Sequence, residues 1–315
     1  MKFEVTSSPH IRGKRNTQNI MLDVIIALLP ALLMGVVRFG MNALIVTLVS
    51  IISAVAAEWI CGMIVYHKNT VKDLSSVVTG LLLAMTLPAT VPYWVPALGS
   101  AFAIIVVKGF CGGLGKNIFN PALAGRAFLM LVCPVYLVRY VAPGAVDGVT
   151  SATPLHHMVM PALPEESIAD MFLGNIGGCL GEVCTAALLV GGIYLVWKKV
   201  ISIRIPAAYL GTVAVLTLIF AKGDNAFAWM LYSLLGGGVV LGALFMATDY
   251  ATSPVTPKGQ IIYGIGCGIL TVIFRYFGLF PEGVTYAILL MNACVWAIDF
   301  YTAPRRFGTK KGGAA

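Results

Sequence analysis

Long apolar runs alternate with short polar connections along almost the whole chain. Runs long enough to span a bilayer, or nearly so, begin at Ile20, Ala43, Leu74, Tyr93, Ile118, Ile176, Ile205, Ala226, Ile261 and Val284. They predict an all-α polytopic membrane protein of about ten transmembrane segments, because backbone inside lipid has to satisfy its own N–H and C=O groups. The runs from Leu74 and Ala226 are interrupted by Gly or Pro and predict short or broken segments. Ionisable residues in or near the runs are few: Asp23, Glu58, Lys108, Glu182, Asp249 and Asp299. An ionised group there is costly unless paired or hydrated. Asp23, Lys108 and Asp299 lie near ends that carry basic loops and are expected to reach the headgroups. Asp249 follows a Met-Ala-Thr run and is the candidate for an ion path.

Composition agrees with the pattern. Of 315 residues 59% are hydrophobic and 11% charged, and the mean hydropathy is +0.90, far from the balance of a soluble domain. The first run carries Asp23 and Pro30, follows Arg12, Lys14 and Arg15, and has no small-residue cleavage site behind it; it reads as a retained anchor. Basic residues precede segment one (Lys2, Arg12, Lys14, Arg15) and follow segments two (Lys68, Lys72), four (Lys116), six (Lys198, Lys199, Arg204) and ten (Arg305, Arg306, Lys310, Lys311). In a ten-segment plan all of these fall on one side. The positive-inside rule makes that side cytoplasmic, with both termini there. The net charge of +8 is explained by basic inner loops against anionic lipid and needs no nucleic acid. The connection of about 137–175, with Asp147, Glu165, Glu166 and Asp170 against Arg139, is then extracytoplasmic.

The chain also repeats itself. Gly80 to Pro92 aligns with Gly242 to Pro254 at an offset of 162, sharing Gly, Leu, Thr, Ala, Thr and Pro in register. That shift carries segments one to five onto six to ten, and since five is odd the halves have opposite topology. The resulting plan is a cytoplasmic segment 1–19, a membrane domain 20–303 with repeats of about 20–139 and 176–303, and a basic tail 304–315.

One polar stretch stands out: Asp147-Gly-Val-Thr-Ser151-Ala-Thr153. An ordinary Ser/Thr turn has the same composition. The stretch also resembles the acceptor signature of flavin transferases, in which the last Thr takes FMN through a phosphoester. Small residues let an enzyme approach the Thr153 hydroxyl, and the Asp147 carboxylate can position its metal. His156 and His157 follow it as ordinary solvated loop residues. The seven cysteines form no CxxC or Cys/His spacing, and GGLGKN lacks the spacing of a phosphate loop, so iron–sulfur and nucleotide chemistry are assigned to partners.

Four motifs occur in a fixed order: LSSVVTGLLLAMTLP (74–88), GGLGKNIFNPALAG (112–125), DGVTSATPL (147–155) and FMATDYATSP (245–254). With them the whole chain resembles the RnfD family, the D subunits of the Rnf electron transport complexes, related to the B subunits of the sodium-pumping NADH:quinone reductases. Only about twenty residues precede the first span, whereas the B subunits carry a longer extension, which favours the Rnf side. The resemblance implies a urea- and ammonium-channel-like fold and a redox-carrier subunit, not an enzyme in isolation. It also implies covalent FMN on Thr153 and, by analogy with the sodium pump, a non-covalent riboflavin. The implied partners are RnfA, RnfB, RnfC, RnfE and RnfG and a flavin transferase, in a complex that couples ferredoxin and NAD chemistry to Na⁺ or H⁺ movement. Ser151, Asn120 and Arg126 join Thr153 and Asp147 as candidate cofactor residues, although capping a broken helix is the commoner role for an Asn such as Asn120. A solute channel of the same fold is the competing class.

Overall fold

The computed structural model describes residues 16–66, 70–141, 164, 166–222, 225–278 and 283–304. Its elements are helical: α1 (Thr17–Phe39), α2 (Met41–Cys61), α3 (Ser75–Met85), α4 (Trp94–Phe102), α5 (Pro121–Val132), α6 (Pro134–Leu137), α7 (Ile168–Leu173), α8 (Thr185–Trp197), α9 (Arg204–Ile219), α10 (Ala226–Leu235), α11 (Val239–Leu241), α12 (Pro257–Phe277) and α13 (Val284–Thr302). Three helices run on as π-helical turns: α2 over Gly62–Tyr66, α4 over Ala103–Gly109 and α11 over Gly242–Met246.

Among the described residues, four helices are long and apolar enough to cross a membrane: Thr17–Phe39, Met41–Ile64, Pro257–Phe277 and Val284–Thr302. The pair Ala226–Leu235 and Val239–Met246, bent by 60°, makes a fifth when taken as one span. Five shorter apolar helices, α3, α4 with its π turn, α5, α8 and α9, account for the other runs. The chain is a polytopic membrane protein.

The break between α10 and α11 falls at Gly236-Gly237-Gly238, where Gly237 and Gly238 take φ of 66° and 68°, a region open to glycine at little cost. Arg275 of α12 donates to the carbonyls of Ser233, Gly236 and Gly237. A cation thereby covers the last carbonyls of α10, which have no helical partner.

Helix starts follow local chemistry. Asn120 precedes Pro121 and its Oδ1 accepts from the N–H groups of Ala122 (3.0 Å) and Leu123 (3.3 Å), which fixes the first turn of α5. Thr256 does the same for α12, ahead of Pro257, accepting from Gly259 N–H at 3.0 Å. Asp299 of α13 accepts from Val255 and Thr256 N–H. Asp23 of α1 accepts from the Tyr194 hydroxyl at 2.8 Å, and each of these carboxylates is part-buried.

Small residues allow close helix contact, the main source of helix association in lipid. At Gly191 of α8 a Cβ would stand 2.0 Å from the Ala27 carbonyl oxygen of α1. Within the first part of the chain α2 packs on α3 and α4, and α5 packs on α3 and α4; later, α9 packs on α12 and the π turn of α11, and α13 packs on the same two. The parts meet where α1 packs on α8 and α5 on α13.

Candidate functional site

Two helices stop inside the protein, and the residues at their ends build the site. All of α3 except Val77 is buried, and beyond it the chain turns at Thr86, Leu87 and Pro88. Its last carbonyls are met by backbone: Gly181 N–H donates to Met85 at 2.7 Å and Leu180 N–H to Leu87 at 3.0 Å. The π turn of α11 stops at Met246, whose carbonyl accepts from Asn120 Nδ2 at 3.2 Å.

Asn292 of α13, buried, completes that second end. With the amide orientation its surroundings require, Oδ1 accepts from Asn120 N–H (3.1 Å), while Nδ2 lies 3.2 Å from the Thr252 and Ile288 carbonyls and 2.6 Å from the Tyr263 hydroxyl. One amide thus ties together α5, α12, α13 and the segment bearing Asp249. Sequence reading missed Asn292; its signal was a lone amide in the apolar run of α13.

A cavity lies beside α3 and the π turn of α11, holding about 720 Å³ of empty space counting its open mouth. Val78 and Leu82 of α3 and Leu244 and Phe245 of the α11 π turn supply apolar walls, with Met21 and Val24 of α1 across from them. The polar lining is Ser75, Lys108, Asn117, Asn120, Thr248 and Asp249. Ile20, Leu114 and Ile201 also line the cavity.

Lys108 does not reach for headgroups as its position near a helix end suggested. It is 3% exposed, with its ammonium 2.9 Å from Glu58 Oε2 and donating to Ser75 Oγ at 2.6 Å. The π turn around it aims the side chain inward, where an unpaired charge would be untenable. Glu58 Oε1 accepts from Thr70 Oγ1 at 2.7 Å.

Asn117 is 4% exposed and its Oδ1 has no hydrogen-bond partner. A buried oxygen left so is costly, and an N–H or O–H donor on a cavity ligand would satisfy it. Asn120 has both polar side-chain atoms engaged within the chain. The two asparagines of one motif therefore divide the roles: Asn120 builds the wall, and Asn117 presents the spare oxygen.

Asp249 stands on the cavity wall, part-buried, with Oδ2 accepting from Thr252 Oγ1 at 3.1 Å. Arg126 is elsewhere. It lies on the far side of the broken ends, in a narrow crevice with Thr86, Gly238 and Thr285, where its Nη1 is 3.7 Å from Glu182 Oε1 and its Nη2 is 3.8 Å from Cys179 Sγ. Asp147, Ser151 and Thr153 lie outside the described residues.

Comparison with known proteins decides the family. The chain matches the model of the NQR2, RnfD, RnfE family over residues 4–308. It belongs to that family. It is 46% identical over 316 positions to the D subunit of the Na(+)-translocating ferredoxin:NAD(+) oxidoreductase complex of Acetobacterium woodii, covering 99% of this chain and 97% of the relative. It is 42% identical to the D subunit of the proton-translocating ferredoxin:NAD(+) oxidoreductase complex of Clostridium ljungdahlii, with 98% and 97% covered. Against the D subunit of the ion-translocating oxidoreductase complex of Escherichia coli O7:K1 the identity is 33%, with 99% and 100% covered.

Proposed function

We propose that this chain is the D subunit of an ion-translocating ferredoxin:NAD⁺ oxidoreductase complex, a redox-carrying membrane subunit that works with the other Rnf subunits. The observation that carries the reading is end-to-end likeness to subunits of that name. Those names divide between Na⁺ and protons, so the coupling ion is a separate measurement.

In this reading the chain makes ten spans as two inverted repeats of five. The 162-residue offset is the support: it takes α1 to α8, α2 to α9, α3 to α11 with its π turn, α4 to α12 and α5 to α13. Most helix pairs of the first repeat also have a counterpart in the second. The basic loops and both termini face the cytoplasm, and the 137–175 connection faces outward in the inner membrane.

Thr153 carries FMN through a phosphoester on that outer connection, made by a flavin transferase with Asp147 and Ser151 in the recognised stretch. A second, non-covalent flavin of the riboflavin type takes the inner cavity, with the spare Asn117 oxygen accepting from a ring N–H and the apolar walls covering its faces. Bound flavin supplies electron transfer, while the protein sets its position and electrostatics. Asp249, on the same wall, lies on the cation path, where a carboxylate and nearby carbonyls can replace part of a hydration shell.

Thr153→Ala tests the first part. The complex should lose the fluorescent subunit band on a denaturing gel and the FMN-sized mass increment; persistence of either places the attachment elsewhere. A wild-type band without flavin, in a chain that conducts a solute, would favour the channel class. Asp249→Asn should keep flavin and assembly but lower the ions moved per electron in proteoliposomes. An unchanged ratio removes Asp249 from the path.

A further inference from the structure

Two oppositely charged side chains are buried beside the cavity, and they are placed unequally with respect to it. Lys108 lines the cavity; Glu58 stands behind it on α2, outside the lining. Both Glu58 oxygens are occupied, Oε2 by Lys108 and Oε1 by Thr70. Of the three ammonium hydrogens of Lys108, one points to Glu58 and one to Ser75 Oγ, which itself donates to Asp73 Oδ1 at 2.6 Å. The third is available to the cavity. On this wall the charge that lines the cavity is positive, with its counter-charge one side chain further away; the other charged group in the lining is the Asp249 carboxylate.

We infer that the Lys108–Glu58 pair sets the reduction potential of the ligand in the inner cavity, Lys108 raising it and Glu58 lowering it by a smaller amount. This rests on the cavity taking a non-covalent flavin. Two electrons and one proton added to an isoalloxazine leave one negative charge on the ring; a second proton would leave it neutral. An ammonium within a few ångströms in a poorly screened site stabilises the charged product over the neutral oxidised ring. The pairing with Glu58 holds the Lys108 side chain in place when the cavity ligand is oxidised and neutral. The lysine is a positioning and tuning residue; electron delivery stays with the complex's own donor.

The pair makes predictions of opposite sign that a merely structural ion pair does not. In purified complex, the non-covalent flavin is titrated with dithionite and a redox dye while its absorbance is followed apart from the covalent flavin. Lys108→Met should disfavour reduction on the order of tenfold or more at fixed potential, the effect of removing one charge at short range. Glu58→Gln should shift it the other way. The double variant, neutral and free of a stranded charge, should lie between wild type and Lys108→Met, and Lys108→Arg should stay near wild type. If either single variant fails to assemble, the double variant and Lys108→Arg still decide: equal potentials in wild type, double variant and Lys108→Arg overturn the proposal. Asn117→Leu separates this from the underlying reading. If it leaves the extractable flavin content unchanged, the flavin is not in this cavity and both fall; if it lowers the content while Lys108→Met leaves the potential unmoved, only the tuning role falls.

Discussion

The two broken helices end in different ways. At α3 the chain end is met by backbone, Gly181 N–H on the Met85 carbonyl and Leu180 N–H on the Leu87 carbonyl; at the π turn of α11 the Met246 carbonyl is met by the Asn120 side-chain amide, and Asn292 in turn bonds the Asn120 N–H and the Thr252 carbonyl. Backbone bonds are indifferent to most substitutions, so the first end is fixed by the path of the chain. The second end is fixed by two particular residues and is the one followed by Asp249. The part assigned to ion movement is therefore held by replaceable contacts, whereas the opposite end is built in.

Asn292→Leu should break the comparison most strongly. It strands the Thr252 carbonyl and the Asn120 N–H, at about 1–3 kcal/mol each, and should cost the purified complex roughly 3–5 kcal/mol in denaturant titrations. Survival with wild-type stability would show that the α11 end is held by something else.

Gly181→Ala attacks the other end by crowding, with no polar group deleted. A Cβ there would stand 2.7 Å from Met85 Cβ and 2.9 Å from the Met85 carbonyl oxygen, so the backbone pair has to part. The expected loss is roughly 1–3 kcal/mol, the usual scale of overpacking, with Asp249-dependent ion transport per electron unaffected. A change in that ratio would mean the two ends are not separable.

The smallest effect is expected at α7, a surface helix capped by side chains. Hydrogen bonds from Ser167 and Asn175 hold the Asp170 carboxyl below the ordinary aspartate range. Its stabilisation is present above the unfolded aspartate value of about 4 and is lost as pH falls through the lower folded value. Amide exchange across 167–175, corrected for intrinsic rate, should lose protection in that acid window in wild type and show no such step in Asp170→Asn.

How much of this the sequence announces depends on the range of the interaction. Hydropathy reveals nearly every helix, and the Gly/Pro interruptions after Leu74 and Ala226 mark the two that stop short, because these are properties of neighbouring residues. The Asn-Pro start of α5 is equally local. The ion pairs are not: Lys108 and Glu58 are fifty positions apart and each reads as a stray charge near a helix end until folding pairs them. Arg126 and Glu182 belong to different parts of the chain in the same way. The motif GGLGKNIFNPALAGR marks Asn117 and Asn120 together, but only geometry shows that one is fully bonded and the other is not. The Thr153 stretch is an expectation drawn from sequence alone, and it lies outside the described residues.

The π-helical turns have a consequence of a different kind. Lys108 belongs to one and Leu244 and Phe245 to another, so two stretches of the cavity lining are wound with i→i+5 hydrogen bonds. Such a turn is an α turn that has taken in one extra residue. Passing that residue along the helix re-pairs the bonds as i→i+4 and turns the intervening side chains by about 100°, the step of one residue in an α-helix. The cavity is thus bounded by the stretches of helix whose lining can be exchanged by rewinding, with both ends of each span left where they are.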